Sequence, residues 1–215
     1  MQAASDGRCT TAEEDAAIEA VGGERSALYG EITPLGFRAL SARLQLGSSD
    51  VFADLGSGLG RATVQAVREY SVRLSFGVEM AATRHELAEA ALADASDCAA
   101  IGERVRLLCA DCSDDALWTA PDAPLRDVTV IYMGALMFSA DLMRRLARLI
   151  EQLPAVRVVA SLKRFADGDA PAGFREDLPT ETVETSWTAP QRPGEGAGVK
   201  EPGCPVHVYL RESDV

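Results

Sequence analysis

The chain has 215 residues, 47% hydrophobic and 25% charged, enough for one sizeable core and unlike a disordered or collagen-like chain. Its 33 acidic against 21 basic residues give a formal net charge of -12, the wrong sign for gripping nucleic acid by bulk electrostatics, so direct nucleic-acid binding by this chain alone is not expected. Five cysteines without framework spacing fit reduced thiols in the nucleus or cytoplasm, and neither a signal peptide nor an apolar run of about 18 residues points to a membrane, so a soluble protein is expected.

The first residues are small, polar and acidic. Thr10 or Thr11 ahead of Glu13 and Glu14 predicts a short helix behind a frayed tail, which sets an amino-terminal segment over 1–28 apart from a main domain over 29–215. From Pro34, PLGFRALSARLQL places Leu35, Leu40, Leu44 and Leu46 near helical spacing and stops at Gly47. Strand and helix signals then alternate: DVFADL, a helix over 59–70, VRLSFGVE, an Ala-rich helix over 81–100, RVRLLCA, a short helix over 116–118, DVTVIYM, a helix over 140–152, and AVRVVASL. Strands separated by helices of this length predict right-handed crossovers and a mostly parallel α/β sheet with helices on both faces. After Phe165 a polar stretch leads to TETVETSWTA and PVHVYLRE, which predict an antiparallel hairpin at the sheet edge. The Gly- and Pro-rich residues 190–203 between them are expected to form a mobile loop.

The most specific local signal is Asp54-Leu-Gly56-Ser57-Gly58-Leu-Gly60, between the first strand and its helix. Glycines there turn the chain tightly and let its backbone approach a ligand. The spacing is G-x-G-x-G, with Arg61 where a dinucleotide fingerprint has its last glycine, so a ligand without a pyrophosphate is indicated. Glu79 closes the next strand, where a carboxylate can accept two ribose hydroxyls, and Asp111 closes the one after. Three acids at the carboxyl ends of successive parallel strands are expected to face one crevice and to hold an adenosyl ligand.

This arrangement resembles the class I S-adenosylmethionine methyltransferases, with DLGSGLGR as their first motif. Tyr29-Gly30-Glu31 ahead of it, FGVEMAATRHELAEAA, VTVIYMGALMF, VRVVASLKRF, and Ser186-Trp187-Thr188 before Pro205-Val206-His207-Val208-Tyr209 are similar, in that order, to the disruptor-of-telomeric-silencing (Dot-one type) histone-lysine methyltransferases. The resemblance implies a Rossmann-like seven-stranded sheet, S-adenosylmethionine as cofactor, and a protein substrate, histone H3. It implies that Tyr29, Gly30, Glu31 and Thr33 close over the cofactor and that Asp54, Gly56, Ser57, Gly58 and Gly60 line its amino-acid and ribose side. Glu79 is implied to hold the ribose, and Asp111 and Cys112 to border the adenine. Tyr29, Met133 and Trp187, with Phe138, are implied to wall the channel in which the lysine meets the methyl group. Met133-Gly134-Ala135 stands where the family pattern has paired asparagines, and Val208 where it has a tyrosine. A methyltransferase for another protein or a small molecule, or a cofactor- or partner-binding module without catalysis, stays open beside this reading.

Other features have plainer readings. His85 lies in a helix beside Glu86 and Glu89, His207 alternates on a strand, and Arg144, Arg145 and Arg148 form a solvated face over Leu142, Leu146 and Leu149. Cys109-Ala-Asp-Cys112 has no second ligand pair, so no metal site is expected.

Overall fold

Five short segments rich in β-branched and apolar residues form the centre of the molecule: β1 (Val51–Leu55), β2 (Leu74–Glu79), β3 (Val105–Cys109), β4 (Val130–Met133) and β5 (Val158–Ser161). In the computed structural model, which describes residues 7–188 and 203–212, these strands run parallel. Every residue of β1, β4 and β5 is buried, as expected of strands covered on both faces. Two longer strands, β6 (Phe174–Val183) and β7 (Cys204–Arg211), complete a seven-stranded sheet ordered β3-β2-β1-β4-β5-β7-β6, with β7 antiparallel to both neighbours. The order reverses between β1 and β4. That is the switch point at which the carboxyl ends of parallel strands leave a crevice between diverging connections.

Among the described residues six α-helices cover the sheet: α1 (Ala12–Gly22), α2 (Pro34–Leu44), α3 (Arg61–Tyr70), α4 (Ala82–Ala93), the one-turn α5 (Cys98–Ile101) and α6 (Ala140–Glu151). On one face Leu142, Leu146, Leu149 and Ile150 of α6 pack with Leu55, Ile131 and Met133. On the other, Phe37, Leu40 and Leu44 of α2 and Ala66 and Val67 of α3 pack with Phe52, Val130 and Tyr132. Alternate residues of each strand therefore serve opposite layers, and each large apolar side chain so buried contributes about 1.5–3 kcal/mol. Among the described residues no helix is long and apolar enough to cross a membrane.

The Rossmann-like sheet with its carboxyl-terminal antiparallel hairpin is the expected architecture; the differences are local. The helix expected over 81–100 is broken. The backbone leaves the α4 spiral at Asp94, and Asp97 turns outward to take a bidentate pair from Arg68 of α3 at 2.7 and 2.5 Å. The first hairpin strand begins at Phe174, ahead of the expected TETVETSWTA, and Ser186 to Thr188 lie in a turn beyond its end. As an edge strand, β6 needs few apolar residues and tolerates Pro179 at its register shift between Asp177 and Glu181. The loop expected over 190–203 lies outside the described residues except for Gly203.

The expected amino-terminal helix forms with a complete capping box, in which Thr11 accepts from the Glu14 amide and Glu14 accepts from the Thr11 amide. It is tied to α4. Glu14 also accepts from the Thr83 amide at 2.7 Å and its hydroxyl at 2.8 Å, at the start of α4.

Candidate functional site

A cleft lies at the carboxyl ends of β1, β2 and β4. Its floor is the turn after β1. Gly56 and Gly58 both have positive φ, 82° and 54°, so side chains there would be strained, and a Cβ on Gly58 would lie 2.8 Å from the Tyr29 ring. The turn is pinned to β2, because the Gly56 and Ser57 amides donate to the Val78 carbonyl at 2.9 and 3.0 Å and the Gly58 amide donates to Glu79 Oε2 at 2.8 Å.

Asp54 in β1, Glu79 at the end of β2 and Asp111 just beyond β3 all line this cleft. Asp54 is 4% exposed and accepts no side-chain hydrogen bond from the described residues. Burial, reinforced by the nearby charges of Glu79 and Glu31, pushes its carboxyl up to about 8. Glu79 is equally buried but engaged: Oε1 accepts from the Ala81 amide at 2.8 Å, and Arg84 of α4 stands 3.9 Å away. Each of its oxygens keeps a lone pair for a ligand. Asp111 Oδ1 accepts the Ser113 amide and hydroxyl, both at 2.8 Å. Next to it, the buried Cys112 thiol is pushed up to about 12, first by desolvation and then by the Asp111 charge. The Trp118 indole donates to the Cys112 carbonyl at 2.9 Å and so fixes this wall.

The near side of the cleft is the Tyr29 to Glu31 segment. The Tyr29 hydroxyl donates to Glu31 Oε2 at 2.9 Å, Glu31 Oε1 pairs with Arg61, and the Arg84 guanidinium lies 5.2 Å from the Tyr29 ring centre. Desolvation and the Glu31 charge raise the Tyr29 phenol well above its ordinary pKa. The segment is latched to the chain beyond β6: the Ser186 amide donates to the Glu31 carbonyl at 2.8 Å, the Thr33 amide to the Glu184 carbonyl at 3.1 Å, and the Glu31 amide to Ser186 Oγ at 3.2 Å.

Of the residues anticipated from sequence, Tyr29, Gly30, Glu31, Asp54, Gly56, Ser57, Gly58, Glu79, Asp111, Cys112 and Phe138 come together around this cleft. Four do not line it. Thr33 faces α2, whose first turn its hydroxyl caps through the Gly36 amide at 3.1 Å. Gly60 starts α3 and borders a separate groove between α3 and α4. Met133 is fully buried in the α6 layer, one residue out of phase with the side chains that face the cleft. Trp187, 45% exposed, lies against the outer face of Gly30, where a Cβ would come 2.4 Å from its ring.

Sequence reasoning missed Arg84, Tyr132, and Ile18 and Val21 of α1, all of which line the cleft. Strand register could have located Tyr132: it pairs with Asp54 across β1 and β4, so both side chains serve the same face. Arg84, in an Ala-rich helix, and Ile18 and Val21, in an acidic one, carried no comparable signal.

A family model for the histone methylation protein DOT1 matches residues 23–178. The H3 lysine-79 specific histone-lysine N-methyltransferase of Kluyveromyces lactis is 28% identical over 154 residues, which make up 63% of this chain and 24% of that protein. Its counterpart in Eremothecium gossypii is 38% identical over 65 residues, 30% of this chain and 11% of the relative. Less than a quarter of either relative's length is thus spanned. Among solved structures, precorrin-6y C5,15-methyltransferase from Geobacter metallireducens superimposes with a TM-score of 0.54 at 14% identity, covering 82% of this chain and 87% of that one. An RNA methyltransferase from Salinibacter ruber, solved in complex with S-adenosyl-L-homocysteine, gives 0.51 at 16% identity, covering 85% and 94%. At such identities the likeness is one of fold.

Proposed function

The chain belongs to the DOT1 family of histone methylation proteins, and from that premise we propose that it is an S-adenosylmethionine-dependent protein-lysine N-methyltransferase acting on histone H3 in the nucleus. The observation that carries this reading is the convergence of Asp54, Glu79 and Asp111 around a positive-φ glycine turn in one cleft. The residues present fit the cofactor. A buried carboxyl without a hydrogen-bond donor, Asp54, suits the ammonium of its amino-acid end, because an adjacent cation restores the charge that burial suppresses. The free lone pairs of Glu79 suit ribose hydroxyls, and Met80, Ala110, Asp111 and Cys112 form a mixed wall for the adenine.

When bound, S-adenosylmethionine supplies an electrophilic methyl group on a sulfonium. The protein's own part is alignment and dehydration. Ile18, Val21, Phe138, Leu142 and Leu162 give the cleft an apolar side, where an amine loses its proton more readily than in water. Tyr29 and Glu31, latched through Ser186, narrow the entrance. The net charge of -12 favours a basic protein partner over nucleic acid.

Calorimetry with S-adenosylhomocysteine, followed by transfer of labelled methyl groups to nucleosomes and to free histone H3, tests both halves. Saturable binding and label on H3 are expected. Absence of binding overturns the cofactor assignment, and binding with label only on other acceptors overturns the histone assignment.

A further inference from the structure

Level with Asp54 in the strand ladder, Tyr132 faces the cleft in an unusual condition. It is 3% exposed, yet its hydroxyl has no hydrogen-bond partner among the described residues. The ring is enclosed while the hydroxyl is presented to the cleft, so its hydrogen-bonding capacity is left for whatever occupies that space. The space beside it is open: a Cβ built on Gly134, which also lines the cleft, would lie 3.8 Å from the Tyr132 hydroxyl oxygen and meet nothing else within 4 Å. Burial and the Asp54 charge raise the phenol's pKa well above its ordinary value, so the group stays neutral and can both accept and donate.

We propose that Tyr132 is an acceptor-binding residue: its hydroxyl oxygen accepts a hydrogen bond from the incoming primary amine, whose nitrogen occupies the space kept open at Gly134. This rests on the methyltransferase reading and adds to it the polar group that orients the acceptor. The neighbouring walls cannot do so. Phe138, Leu142 and Leu162 are apolar, and Gly134 has no side chain. Asp54 is the other polar group at that level, and its task is the cofactor's ammonium. A neutral oxygen acceptor leaves the amine free to reach the cleft unprotonated, whereas a carboxylate at the same place would hold it as ammonium.

The test needs no knowledge of the natural acceptor. Two probes are titrated into the full chain by calorimetry: S-adenosylhomocysteine, and the same adenosyl ligand with its sulfur replaced by a carbon bearing a primary amine. The wild-type protein and the Tyr132→Phe and Gly134→Ala variants are compared, with thermal unfolding as a check on folding. Tyr132→Phe is expected to bind S-adenosylhomocysteine within about twofold of wild type and the amine ligand roughly tenfold more weakly, the loss of one hydrogen bond. Gly134→Ala, which fills the amine's space and meets the hydroxyl only at an ordinary van der Waals distance of 3.8 Å, is expected to show the same selective loss. Equal weakening of both probes, or of neither, overturns the proposal while leaving the cofactor reading intact. If the wild-type protein binds neither probe, the methyltransferase reading falls and the assignment of Tyr132 falls with it.

Discussion

With its carboxyl raised to about 8 from an ordinary 3.8, Asp54 keeps a proton that the unfolded chain gives up across that interval. Between those two values the folded state binds one proton more than the unfolded state, so this group lowers stability as pH rises, by about 1.4 kcal/mol per unit. Asp54→Asn removes that slope. Urea unfolding at several values between about pH 5 and about pH 8 is expected to show the variant gaining on wild type as pH rises, and a constant difference would refute the raised carboxyl. Ligand binding should run the other way. An ammonium placed beside Asp54 draws the proton off, so affinity for S-adenosylhomocysteine is expected to fall as pH drops below about 8, and Asp54→Asn is expected to bind weakly with no such dependence. The same strand level shows what one residue of phase decides. Asp54 was legible from sequence because a glycine turn follows it, whereas β4 ends in Tyr132 and Met133, with Gly134 after them and no polar punctuation. The resemblance points to Met133, but the pleat turns it into the α6 core while Tyr132 meets the cleft.

Among the elements, α2 and α4 begin in contrasting ways. Thr33 caps α2 in the ordinary manner and also donates from its hydroxyl to Glu184 Oε1 at 2.7 Å. Thr33→Ala is therefore expected to cost about 1 kcal/mol in chemical denaturation, with S-adenosylhomocysteine affinity changed less than about twofold, since the side chain does not line the cleft. A loss of affinity beyond the loss of stability would return Thr33 to the binding site. By contrast α4 starts at Ala81, which cannot cap, and borrows carboxylates from elsewhere: Glu79 takes the Ala81 amide and Glu14 the Thr83 amide. The helix existed plainly in the Ala-rich sequence; its beginning did not, because the groups that cap it come from β2 and from α1, 69 positions away in the second case. β6 was misplaced for a related reason. Most of its residues are exposed or half-buried, so no alternation of apolar side chains marks where pairing starts.

For the molecule as a whole, alternation of strands and helices made the sheet readable, since a strand covered on both faces must be apolar throughout. The enclosure of the cleft was readable only in its Tyr29-Gly30-Glu31 segment; the parts that back and fasten it lie far apart in sequence. The family match begins at residue 23 and ends at 178, whereas α1 lies before it, and Glu184, Ser186 and Trp187 lie after it. Starting the chain at Gly23 is expected to leave a folded sheet, by circular dichroism, while weakening S-adenosylhomocysteine binding several-fold, because Ile18 and Val21 no longer shield the apolar side and α4 loses Glu14. Undiminished affinity in that truncated protein would make α1 a passive cover.

Arg84 adds a mechanical coupling. Its guanidinium donates to the Gly7 carbonyl at 2.8 Å and the Ala27 carbonyl at 2.6 Å while standing over Tyr29 and near Glu79. The chain at Gly7 and the segment leading into Tyr29 thus hang from one fastener, seated beside the carboxylate assigned to the ribose. The ribose carboxylate and the Tyr29 wall meet at this one guanidinium, itself part of the cleft lining, so the floor and the doorway are mechanically joined.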